Sequence, residues 1–236
     1  MSNDFPGIQR TLEAALEAVR LVAVAYLKAA PEGVDRFSGS VPASCTFWQL
    51  ALKGHAFYTV ASDHLNCAIG YYTSGFDEPA DRSGELEQTL AMMANAGYLK
   101  LEEAPSIPRL RETPSFVYYA PLERAAVVPD VVIAVGRPAV LMRLQEAAAR
   151  AGAASQLPPL GRPTCMALPA SMAHGAVMSF GCIGNRVYTG LGDDELYVML
   201  PGERLADIAS ELSVIQTANE TLRSYHQNRK AALTRP

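Results

Sequence analysis

The sequence contains no Cys-x-x-Cys pair, no Gly-x-Gly-x-x-Gly turn and no Gly-x-Ser-x-Gly elbow. The first absence excludes zinc ribbons, bacterial-type ferredoxins and thioredoxin-type redox motifs. The other two remove the dinucleotide fingerprint and the serine-hydrolase nucleophile turn. Positive charge is not in surplus: 20 Lys and Arg stand against 24 Asp and Glu, a formal net charge of −4. A nucleic-acid partner held by broad phosphate contacts needs such a surplus to displace counterions, so none is expected. The locally basic tail Arg223–Arg235 reads as a solvated helix end. Long hydrophobic runs are also missing. Leu21–Leu27 is too short to cross a bilayer and ends in Lys28, so no membrane partner is expected. Met1-Ser2-Asn3-Asp4 shows no basic region followed by an apolar core, and the expected location is the cytoplasm.

What is present is a chain of 236 residues, 49% hydrophobic, enough for a sizeable core. The expected fold class is α/β or α+β. It is one domain over residues 1–236, a mixed sheet with packed helices over 7–202 and a long C-terminal helix over 203–232. Leu12, Leu16, Val19, Ala23 and Tyr26 recur at helical spacing, which predicts an amphipathic helix over Ile8–Ala29. Thr46–Leu52 reads as a short helix and Ala56–Val60 as a strand. Ser62–Asp81 reads as a long irregular segment wrapping a site. Glu85–Ala96 reads as a helix with Leu86, Leu90 and Met93 inward. Phe116–Leu122 is a strand, and the β-branched run Asp130–Val135 reads as a central one. A helix from Pro138 to Ala151 follows. Val187–Gly190 and Glu195–Leu200 alternate as two hairpin strands. The acidic group Asp193-Asp194-Glu195 between them reads as a solvated turn. From Pro201 onward, Leu205, Ile208, Leu212, Ile215 and Leu222 form a coiled-coil-like stripe with Asn219 on its seam. That stripe suits packing on its own domain or a homodimer.

The chemistry concentrates at four cysteines. Cys45, Cys67, Cys165 and Cys182 are separated by 22, 98 and 17 residues. Each lies in a turn-like setting beside glycine, proline or another small residue, whereas a cysteine used only for packing usually lies in an apolar run. In a reducing compartment, cysteines that converge bind metal or do redox chemistry more often than they form disulfides. Gly70, Gly181 and Gly184 allow close backbone approach, and their N–H groups suit hydrogen bonds to thiolate sulfur. Arg186, next to Gly184-Asn185, suits an anionic substrate or an offset to cluster charge. His64, three residues before Cys67, fits a ligand, a neighbour of the ligands or a general acid. Cys67 with His64 is the one nearby thiol–base pair in sequence and the candidate catalytic pair. His55, His174 and His226 read as structural.

At these residues the chain resembles an uncharacterised bacterial and archaeal family, domain of unknown function 169. The resemblance runs from the first helix to the last. Its carriers are Val41-Pro42-Ala43-Ser44-Cys45-Thr46-Phe47-Trp48, the Phe57-Tyr58 strand, His64-x-x-Cys67-x-x-Gly70 and Pro129-Asp130-Val131-Val132. Cys165, Ser179-Phe180-Gly181-Cys182-Ile183-Gly184-Asn185-Arg186, Asp194-Glu195-Leu196 and the segment from Pro201 complete it. The resemblance implies cysteines in similar settings and one shared site. It supplies no reaction.

The leading expectation is therefore an iron–sulfur cluster or metal on Cys45, Cys67, Cys165 and Cys182, with Gly184 and Arg186 around it. A cluster is preferred to zinc, because scattered ligands suit a finished fold that grips a cluster more than a staple that nucleates a small one. Its partner would be a small molecule or a redox protein. The alternatives are a cofactor-free enzyme or ligand-binding module using Cys67 and His64, and an interaction subunit with structural cysteines.

Overall fold

The computed structural model describes residues 4–233. Eight α-helices and six strands, with short 3₁₀ turns between them, build one mixed α and β domain. In chain order they are α1 (Phe5–Ala15), β1 (Arg20–Leu27), α2 (Thr46–Leu52), β2 (Phe57–Thr59), α3 (Ala68–Thr73), α4 (Glu85–Asn95), β3 (Phe116–Pro121), β4 (Val131–Gly136), α5 (Pro138–Arg150), α6 (Ala167–His174), β5 (Val177–Ser179), α7 (Ile183–Thr189), β6 (Leu196–Pro201) and α8 (Leu205–Leu233). The strands form one antiparallel sheet in the order β2-β3-β1-β4-β6-β5.

The helix expected over Ile8–Ala29 is two elements. Asp4 caps α1 by accepting from the Gly7 N–H at 2.8 Å, and the helix stops at Ala15. Ala18, at φ 58°, then turns the chain into β1. The misreading has a physical cause. Leu12, Leu16, Val19 and Ala23 do share one core cluster, so the burial was legible, but Val22 and Val24 are equally buried on the opposite face. A segment covered on both faces carries no period that separates helix from strand. Its pairing with β3 and β4 places β1 in the middle of the sheet.

Successive residues of the central strands feed two cores, as a period of two requires. Leu21, Ala23, Val132, Ala134, Val198 and Leu200 face α1, α5 and α8. Val22, Val24, Val131, Ile133, Val135 and Met199 face α2, α6 and the loops that carry the cysteines. Each fully buried leucine or valine contributes about 1.5–3 kcal/mol. α8 buries Leu205, Ile208, Leu212 and Ile215. Asn219 donates to Glu146 Oε2 at 3.0 Å, and Leu222 beyond it is exposed.

Two further expectations change. Ser62–Asp81 is not irregular, since it contains α3 and two 3₁₀ turns. Val187–Gly190 is not a strand: Val187–Thr189 closes α7, and Gly190 ends that helix at φ 68°. The acidic turn after it is solvated yet tied down, with Glu195 on Arg20 at 2.5 Å and Asp194 on Arg137 at 3.0 Å.

Candidate functional site

The site lies on the sheet face opposite α1, α5 and α8. Cys45 immediately precedes α2, which Phe47 and Trp48 anchor in the second core; the Trp48 ring meets Tyr197 edge-on at 5.8 Å. Cys67 starts α3, and its Sγ accepts the Gly70 N–H at 3.3 Å. Cys165 sits in the 3₁₀ turn Thr164–Met166 that leads into α6. Cys182 starts α7, and its Sγ accepts the Asn185 N–H at 3.3 Å. The Cys182 N–H donates to Thr164 Oγ1, so the last two cysteine segments are bonded together. Backbone N–H groups thus reach two of the four sulfurs.

All four cysteines line one cavity of about 480 Å³. Ser44, Gly70, Gly184 and Asn185 share its wall, and Thr89, Met92 and Met93 of α4 form part of its rim. The half-buried face of α4 thus borders the cavity and is not core, which corrects the inward assignment of Met93. Among the described residues, no Asp, Glu, Lys, Arg or His lines the cavity. Burial first, and the neighbouring Cys67 after it, push the Cys45 thiol up to about 12. Cys165 is raised well above the ordinary thiol value, first by burial and then by Cys67, Cys182 and Cys45. The thiols are close enough to oppose one another's ionisation.

The donor chemistry fits a soft metal or a cluster. Gly70 lets α3 approach the Cys45 loop closely: a Cβ there would stand 2.5 Å from Ser44 Oγ and 3.0 Å from Cys67 Sγ, both in the cavity wall. The spacing as it stands is not a finished ligand shell. Among the described residues, no group of three or more His, Cys, Asp or Glu is set to hold a metal ion.

His64 does not sit in this wall. It is 1% exposed, with Nε2 2.8 Å from Thr59 Oγ1 and Nδ1 3.1 Å from Ser44 Oγ. Thr59 Oγ1 donates its proton to the Val117 carbonyl at 3.2 Å. Thr59 therefore accepts from Nε2–H, and the bare Nδ1 accepts from the Ser44 hydroxyl. Burial lowers the His64 pKa to about 3, so the ring stays neutral. Both ring nitrogens are taken, and His64 acts on Ser44, not on the Cys67 thiol. Arg186 also turns away. Its guanidinium donates to the carbonyls of Phe180 at 2.6 Å, Gly192 at 2.8 Å and Glu195 at 3.1 Å, stapling the α7–β6 connection. It offsets no charge in the cavity wall. Ser44 and Asn185, which do line the wall, stand in the sequence only as members of the family-like stretches Val41–Trp48 and Ser179–Arg186, with no chemistry assigned to them there.

The sheet domain thus brings four cysteines distant in sequence to the wall of one cavity. The chain belongs to domain of unknown function 169, described as "Uncharacterised ArCR", whose sequence model matches residues 13–211. It is also similar to "Uncharacterized protein MJ0308" of Methanocaldococcus jannaschii, 28% identical over 193 residues, covering 77% of this chain and 80% of that protein. No solved structure matches. Among the described residues, no helix is long and apolar enough to cross a membrane.

Proposed function

We propose that the protein holds an iron–sulfur cluster on Cys45, Cys67, Cys165 and Cys182, and that it serves electron transfer, redox sensing or a small-molecule reaction at that centre. The observation that carries this reading is that cysteines from four separate segments line one cavity. Backbone donors at Cys67 and Cys182, and mutual opposition to ionisation at Cys45 and Cys165, support a cationic occupant. A cavity of about 480 Å³ is roomy for one zinc ion with Zn–S bonds of about 2.3 Å, which favours the bulkier cluster. With no basic side chain lining it, such a centre would sit at low potential. Its partner would be a redox protein or small molecule in the cytoplasm.

The cofactor-free reading has one observation in its favour, the apolar rim of Met92, Met93, Ile183 and Tyr188. Anaerobic purification with iron, sulfide and zinc analysis separates the two. The expected result is iron and sulfide in the wild type and loss of iron in Cys182→Ser. Cys165→Ser should lose less, because Cys165 leads into the buried Ala167 and Leu168 and carries no backbone donor on its sulfur. A metal-free wild type prepared without air would end the cluster reading.

A further inference from the structure

The cavity wall contains a polar group that the four cysteines leave unexplained. Asn185 is 2% exposed, and its Nδ2 has no hydrogen-bond partner. Its orientation follows from its neighbours. Thr189 Oγ1 gives its proton to the Asn185 backbone carbonyl at 2.7 Å. The Tyr197 hydroxyl lies 3.0 Å from Asn185 Oδ1 and 3.4 Å from Thr189 Oγ1, and gives its proton to the nearer of the two, the Asn185 oxygen. With the amide oxygen fixed on Tyr197, the amide nitrogen is the end left for the cavity that Asn185 lines. Tyr197 is held in turn by β6 and by the edge-on Trp48. A rigidly held, buried donor without an acceptor is costly, and such groups are retained where something binds.

The amide lines the same cavity wall as Cys45, whose segment leads into α2 where that helix packs on α7. A neutral thiol is a poor acceptor, whereas a metal-bound thiolate is a good one. Arg186, the nearest cation in sequence, is spent on three carbonyls. Resting on the centre proposed above, we propose that Asn185 donates a hydrogen bond to the sulfur that Cys45 gives to the loaded centre, with Tyr197 as the residue that positions it. The donor takes the place of the missing positive charge. It stabilises the more electron-rich reduced state, so it raises the reduction potential.

The test is a redox titration of the full chain, purified without air, as wild type, Asn185→Leu and Tyr197→Phe, with iron counted in each. Asn185→Leu should keep its iron and titrate at more negative potential. The reduced-to-oxidised ratio at fixed ambient potential should fall about five- to tenfold, as for one lost hydrogen bond. Tyr197→Phe should shift in the same direction by less, since it frees the amide without removing it. Full iron with a wild-type potential in Asn185→Leu overturns the assignment and leaves the centre standing. An iron-free wild type overturns the centre itself. If Asn185→Leu does not fold, Tyr197→Phe decides, because it deletes a single hydroxyl: an unmoved potential there overturns the role of the pair.

Discussion

Gly70→Ala is the sharpest test of how the site is built, because helix propensity and packing predict opposite signs. Gly70 lies inside α3 without a positive φ, so alanine should stabilise the helix by about 0.5–1 kcal/mol. The new Cβ would meet Ser44 Oγ at 2.5 Å, Ser44 Cβ at 2.7 Å and Cys67 Sγ at 3.0 Å. Ser44 cannot escape by rotation, because its Cβ is itself too close and its Oγ is tied to His64. Cys67 is restrained by the hydrogen bond from Gly70 N. The backbone of the Cys45 loop or of α3 must shift, and overpacking of this kind costs about 1–3 kcal/mol. The net expectation is a loss of about 1–2 kcal/mol. For a chain of this size that lowers Tm by roughly 2–8 °C. Denaturant unfolding of the metal-free protein measures it, and thiol counting by alkylation follows the displaced Cys67. A variant as stable as wild type or more stable, with unchanged thiol reactivity, would refute the close approach of α3 to Ser44.

Two further outcomes are expected. His64 titrates near 6.5 in the unfolded chain and at about 3 when folded. The native state therefore binds fewer protons between those values. Its stability is fully present above pH 6.5 and falls as pH drops, by up to about 1.4 kcal/mol per unit. Comparing wild type with His64→Phe from pH 4 to pH 7, the variant should show the shallower slope; equal slopes would mean that His64 protonates in place. In α8, Leu212→Ala should cost about 2–5 kcal/mol, since Leu212 is fully buried against the first core. Leu222→Ala should cost under about 0.5 kcal/mol in a monomer, because Leu222 is exposed. A concentration-dependent loss in Leu222→Ala, with a dimer mass by light scattering, would instead place a second copy on the outer half of the helix.

The legible parts of the fold were those with one dominant signal. Asp130–Val135 carried buried β-branched residues on both faces between clear turns, and β4 lies at the centre of the sheet. Leu205–Ile215 kept a strict helical stripe, and α8 buries it. β1 was lost because Leu12, Leu16 and Val19 extended a helical count into a strand buried on both sides. α7 was lost because its seven residues are too few to display a period, while Val187 and Thr189 mimic alternation. At the site, the turn-like settings of the cysteines showed where to look. His64 is held by Ser44 from a separate loop, and Arg186 by carbonyls that the turn after α7 folds back onto it, contacts set by the tertiary path of the chain and by no motif.

The strand order fixes when this cavity can exist. β5 occupies the sheet edge, but its only strand neighbour is β6, which follows it in the chain and fills the place beside β4. Until Leu196–Pro201 is in position, Val177–Ser179 has only the bridge to Leu160, and Cys182, three residues further on, is tied only to Thr164. A nascent or truncated chain ending before residue 196 can pair β1, β3 and β4 and bury much of its core. It would nonetheless lack the strand that seats β5 and, through Tyr197, the residue that holds Asn185 in the cavity wall.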